Sequence, residues 1–99
     1  LQNFFLSKVA HMRTIKKYEI HSFLNPIVYM HKGAKILKLA HKKSVPIIWA
    51  EANTEKPLVK RLIRTFETDE ELIDEPGEYL GTVETLGRVF HCFDGGESL

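Results

Sequence analysis

Short runs of β-branched and aromatic residues recur along this chain, and turn-forming residues close off each one. Residues 13–20 carry Ile15, Tyr18 and Ile20, and residues 27–30 read Ile-Val-Tyr-Met. Residues 45–52 read Val-Pro-Ile-Ile-Trp-Ala-Glu-Ala, and residues 89–93 read Val-Phe-His-Cys-Phe. Side chains branched at Cβ and aromatic rings suit a pleated surface better than a helix. Between the runs stand Asn25-Pro26, Lys32-Gly33, Glu75-Pro76-Gly77 and Leu86-Gly87, each of which favours a turn. Six or seven short strands so punctuated predict an all-β, mainly antiparallel fold, either a small sandwich or a partly open barrel.

The individual segments carry finer expectations. Residues 35–40 fit strand or helix by pattern, but the strong run after the polar residues 41–44 predicts a hairpin with a four-residue loop. Pro46 cannot donate to a ladder, which places it near a strand start or at an edge. Gly33 supplies the positive φ that a bulge or tight turn needs. Residues 27–30 hold no polar side chain, which predicts burial on both faces or a strand end beneath a loop. Leu58, Leu62 and Phe66 recur every four residues, as a helix would have them, yet Val59, Ile63 and Thr65 favour a strand. Thr68 followed by Glu71 resembles a capping box and predicts one short helical turn. A second hairpin is expected around Leu86-Gly87, and residues 95–99 read as a flexible tail.

Ninety-nine residues make one domain, expected here over residues 12–94. Residues 1–11 read as a leader left by an expression tag, with the natural chain starting at Met12. The other reading is a native leader in which Phe4, Phe5, Leu6 and Val9 form a short amphipathic turn. Cys92 is the only cysteine, so neither an intrachain disulfide nor a thiolate zinc cluster can form within one chain. No apolar run approaches the roughly 20 residues of a membrane span. The expectation is a cytoplasmic protein without a membrane partner.

Several of these segments carry a resemblance. Arg13-Thr14-Ile15-Lys16-Lys17-Tyr18 opens the series. Lys32-Gly33-Ala34-Lys35-Ile36-Leu37 and Ile48-Trp49-Ala50 follow. Glu78-Tyr79-Leu80-Gly81-Thr82 then precedes Val89-Phe90-His91-Cys92-Phe93. Together they resemble a family of short uncharacterised proteins encoded by bacteriophages and prophages, across nearly everything from Met12 to Asp94. The resemblance implies a viral accessory protein at work in a host cell. It implies no activity, and no catalytic residue carries over.

Charge is distributed unevenly along the chain. Residues 1–66 hold thirteen of the fourteen Lys and Arg against three acids, and residues 67–99 hold ten acids against Arg88 alone. Such a split bears on partners and self-association. Lys32, Lys35, Lys38, Lys42 and Lys43 lie in a stretch without acids, with Lys35 expected to face away from Lys38 in a strand. Lys60 and Arg64 share one strand face and Arg61 takes the other. Lys42, Lys43, Lys60 and Arg64 could meet the phosphates of a nucleotide or nucleic acid while Trp49, with Tyr18 and Tyr29, stacks on a base. The plainer reading makes Trp49 and Tyr29 core residues and the lysines guards of strand edges. Glu70, Glu71 and Asp74 belong to an acidic run over 67–78. That run could imitate a nucleic-acid backbone before a host protein or pair with the basic half of another subunit. It could also be a solvated loop.

Catalytic motifs are missing. The chain has no Gly-x-Ser-x-Gly, no Walker loop and no His-Glu-x-x-His. Its histidines at 11, 21, 31, 41 and 91 lack the short spacing of zinc ligands on one element. His91 and Cys92 are adjacent, so they point to opposite faces of a strand, and Cys92 is expected to be buried as a small apolar residue. These features predict no cofactor, no metal and no catalytic residue. The leading expectation is a non-enzymatic accessory protein that binds a host protein or assembles as a homo-oligomer through its bipolar charge. The alternative is a small-ligand module for a nucleotide or nucleic-acid phosphate.

Overall fold

The computed structural model describes residues 13–22, 24–42 and 45–98. The expected leader, Lys43 and the tip of the first hairpin lie outside them. Seven strands follow in order: β1 (Arg13–Glu19), β2 (Ile27–His31), β3 (Lys35–Lys42), β4 (Val45–Asn53), β5 (Leu58–Glu67), β6 (Glu78–Thr85) and β7 (Arg88–Ser98). They form a three-stranded sheet ordered β1-β4-β3 and a four-stranded sheet ordered β2-β5-β7-β6. Every strand pairing is antiparallel. The fold is all-β, as the turn-punctuated runs require, and its two sheets pack face to face without closing into a barrel.

The core fills the space between the sheets. Ile48, Ala50 and Ala52 from β4 face Val28 and Met30 from β2, Ile63 from β5, Val83 from β6, and Phe90 and Cys92 from β7. The alternation that buries one side of each strand leaves the other side outside. In β2, Val28 and Met30 are buried while Ile27 and Tyr29 are exposed. An apolar run therefore does not mean burial on both faces here, because β2 is an edge strand with a single sheet beneath it.

Tight turns join the strands. Residues 31–34 form a β-turn closed by the Ala34 N–H donating to His31 O, with Gly33 at φ 78°. Asn53 O accepts from Lys56 N–H while its side chain accepts from Glu55 N–H, so the polar 53–57 segment turns as its composition suggests. The β3–β4 hairpin pairs up to Lys42↔Val45, which leaves two connecting residues rather than four.

Two expectations fail in the acidic half. No helical turn follows Thr68, because Asp69 takes a left-handed φ of 73° and Glu70 N–H donates to Glu67 O, closing a β-turn instead. Thr68 Oγ1 is hydrogen-bonded to His91 rather than capping a helix. Residues 95–98 are not a loose tail but the end of β7, paired to Leu62, Arg61 and Lys60. Their anchor is Arg61. Its guanidinium donates to both Asp94 carboxylate oxygens at 2.8 and 2.6 Å and to Ala34 O at 2.9 Å. Glu97 accepts from Gly33 N–H at 2.6 Å. This charge-assisted, bidentate pair ties the last strand to β5, and the bonds to Ala34 O and from Gly33 N–H tie both strands to the turn between β2 and β3.

Candidate nucleic-acid interface

The outward side of the three-stranded sheet collects Arg13, Lys17, Lys35, Lys38 and Lys42 from the basic half of the chain. Residues opposite each other in antiparallel strands project to the same side, so the register defines rows across this face. The central row is Lys17–Trp49–Lys38. Beside it lies Ile15–Glu51–Lys35, and Lys42 stands opposite Val45 near the hairpin end. Neighbouring strands are about 4.8 Å apart, which puts one lysine backbone immediately to each side of the tryptophan. Trp49 keeps 37% of its surface exposed, with Ile15 and Leu37 also exposed on this sheet.

A backbone irregularity makes this row possible. Ile36 pairs with Ala50 and Lys38 with Trp49, so Leu37 is an extra residue on β3. Such a bulge breaks the two-residue alternation. Lys35 and Lys38, expected on opposite sides, consequently share the outer face. The sequence shows a lysine every three or four residues through Lys42 but does not reveal where the pleat slips.

The face continues into a shallow groove of about 410 Å³ lined by Arg13, Lys32, Lys35 and Lys56, with Glu51 as its acid. Arg13 and Glu51 form an ion pair, which leaves three lysines around the groove against no further lining acid. From the row of Glu51 to that of Lys42 the track spans about 20 Å of strand. The row between the tryptophan and Lys42, Glu19–Ile47–Ala40, places one acid on this face. With Glu51 paired to Arg13, the rest is cationic side chains beside a flat aromatic ring, a combination that binds phosphates and stacks bases.

The remaining candidate residues fall elsewhere. Lys60 and Arg64 sit on the outer side of the four-stranded sheet, opposite Tyr29 and Phe93 respectively. The core lies between them and Trp49, so the five-residue cluster drawn from sequence splits into two faces. Lys43 lies outside the described residues. Trp49 and Tyr29 are surface residues, not core; only Tyr18 is half-buried, hydrogen-bonded to His31 Nδ1 at 3.0 Å. Glu70, Glu71 and Asp74 are exposed on the 68–77 connection. Lys17, Arg13 and Lys56 were not singled out by sequence, although Arg13, Ile15 and Lys17 alternate as one face of a strand should.

The groups with intrinsic reactivity are engaged structurally. Burial pushes the Cys92 thiol up to about 11, so it is protonated and unreactive at neutral pH. His91 is on the opposite side of β7 from Cys92. It is hydrogen-bonded to Thr68 through Nε2 and Thr82 through Nδ1, both at 2.9 Å. No three His, Cys, Asp or Glu side chains converge as metal ligands among the described residues. No helix there is long and apolar enough to cross a membrane.

The sequence pattern described as Domain of unknown function (DUF7352) matches residues 12–98, and so takes in all seven strands. The chain belongs to this family. Neither curated proteins nor solved structures give a match to this DUF7352 chain.

Proposed function

We propose that this protein is a non-enzymatic binding module that holds single-stranded nucleic acid across the β1-β4-β3 face. One observation carries the reading: the chain's only tryptophan stands exposed at the centre of a sheet face, between Lys17 and Lys38 in register. A solvent-facing tryptophan gives up burial that would stabilise the fold by about 2 kcal/mol. Base stacking returns about 1–3 kcal/mol per base, and the lysines supply the phosphate contacts. Lysines around a stacking ring suit single strands of any sequence. With the resemblance to phage-encoded proteins, the natural strand would be one exposed during viral replication or expression. Anisotropy of a labelled oligothymidylate tests this. Lys38→Glu should weaken binding about tenfold or more, whereas Lys60→Glu on the other sheet should leave it nearly unchanged. Equal losses from both variants would remove the face from the account.

A second reading keeps the protein-partner expectation. Leu72 and Ile73 are 50% and 44% exposed amid Glu70, Glu71 and Asp74. This pairing of apolar and acidic side chains would suit a basic partner surface, on a host protein or on another copy. Charge reversal at Glu70, Glu71 and Asp74 should abolish such an association, and its persistence at high salt would discount charge pairing.

A further inference from the structure

Two sheets that do not close leave four edge strands among the described residues: β1, β3, β2 and β6. Each edge exposes unpaired backbone donors and acceptors unless something blunts it. β3 is interrupted by the bulge at Leu37 and β6 by one at Leu80. β2 is only five residues long. β1 differs: seven residues pair with β4 in unbroken register, without bulge or proline, and six of the seven are exposed. Half of its peptide groups point away from β4 with the geometry of a strand awaiting a neighbour.

One side chain decides which neighbour fits. Lys16 pairs with Ala50, a core residue, so it leaves β1 on the inner side of the sheet. An inward-facing lysine in the middle of an edge strand is a device against edge-to-edge association. A second copy of β1 docked antiparallel about the strand centre would set Lys16 against Lys16. Lys17 adds to the positive charge beside Lys16, while Arg13 is paired with Glu51 and Glu19 ends the strand. The device excludes copies of itself and most neutral strands, yet a carboxylate opposite Lys16 reverses its effect. Cross-strand opposite charges are favourable where like charges are not.

We infer that the β1 edge is a docking site for an extended acidic peptide segment of another protein, added as a fourth strand with a Glu or Asp opposite Lys16. Main-chain hydrogen bonds would supply affinity, and the charge pair would set register and selectivity. This site is separate from the outer basic face, since Lys16 points to the inner side and Trp49 to the outer.

The test uses the full chain and labelled extended peptides of alternating Thr and Val carrying a central Glu or a central Lys. The wild-type protein should bind the Glu peptide at least about tenfold more tightly than the Lys peptide, and Lys16→Glu should invert that preference. Lys16 is exposed, so the variant should unfold at nearly the same temperature. N-methylation of alternate residues in the Glu peptide should abolish binding by removing ladder donors, and Trp49→Ala should leave it intact. Absence of binding by the wild type overturns the inference. So does binding that survives N-methylation, or binding lost with Trp49→Ala, which would assign the peptide to the basic face.

Discussion

Arg61 carries more structural responsibility than any other charged residue. It is 11% exposed at its side chain, and Asp94 is 13% exposed. Removing one member of such a pair strands a buried charge and costs about 3–5 kcal/mol. Asp94→Asn should therefore lower stability by about 3 kcal/mol near neutral pH, measured by urea unfolding. The hydrogen bonds from Arg61 hold the Asp94 carboxyl below its ordinary value of 3.8. A carboxyl depressed in the folded state contributes stability above its unfolded pKa and loses it as pH falls through the folded one. The gap between wild type and Asp94→Asn should thus narrow as pH drops below about 4; a constant gap would show that the ion pair is not its source. Sequence gave no sign of this pair, because Arg61 and Asp94 are far apart in the chain and a bulge at Gly95 sets their register. The alternation that put Arg61 opposite Lys60 and Arg64 was legible, and it holds. Trp49 was legible as a stacking candidate but not as exposed, since an aromatic in an apolar run looks the same whichever side it faces.

Elements were easier to find than their irregularities. Each run of β-branched residues became a strand, and Asn25-Pro26, Gly33, Pro76-Gly77 and Gly87 became turns or connections, because those preferences are local; Gly95-Gly96 instead lies inside β7. The bulges at Leu37, Leu80 and Gly95 depend on how two strands pair and have no local signature. They bear on the proposed site, since the one at Leu37 sets Lys35 and Lys38 on a common face. The β6–β7 hairpin turns on Leu86 and Gly87, both at positive φ, 52° and 72°. Two such residues form the turn whose twist matches the flanking strands, and its preferred first residue is Asn. Leucine in the left-handed region costs about 1 kcal/mol, and Leu86 is 93% exposed with little packing to lose. Leu86→Asn should raise the melting temperature by about 4 °C. An unchanged or lower value would mean that the side chain contributes packing after all. The missing helical turn after Thr68 has the same kind of cause: a capping-box pattern satisfied locally by a β-turn and by His91.

At the scale of the molecule, the charge split of the sequence is kept only in part, because Lys60 and Arg64 lie on the four-stranded sheet beside the acidic half of the chain. Arg61 takes up Asp94, and Arg88 holds Glu67 through two hydrogen bonds of 3.0 and 2.5 Å. The first pair is buried and the second exposed, and both are satisfied within the chain. The basic outer face of β1-β4-β3 and the acidic 68–77 connection keep exposed charge. The connection raises negative potential around the whole protein, so reversing Glu70, Glu71 and Asp74 to lysine should strengthen oligonucleotide binding about threefold at low salt. The gain should vanish near 1 M salt, where screening acts within about 3 Å. The most direct test of the basic face is the emission of Trp49 itself, the only tryptophan in the chain, during titration with oligothymidylate at several salt concentrations. The account predicts saturable quenching, with an affinity that falls as salt rises on a log–log slope of about −2 to −3, as for three or four phosphate contacts. Emission that stays constant through saturating oligonucleotide, or quenching indifferent to salt, would contradict it.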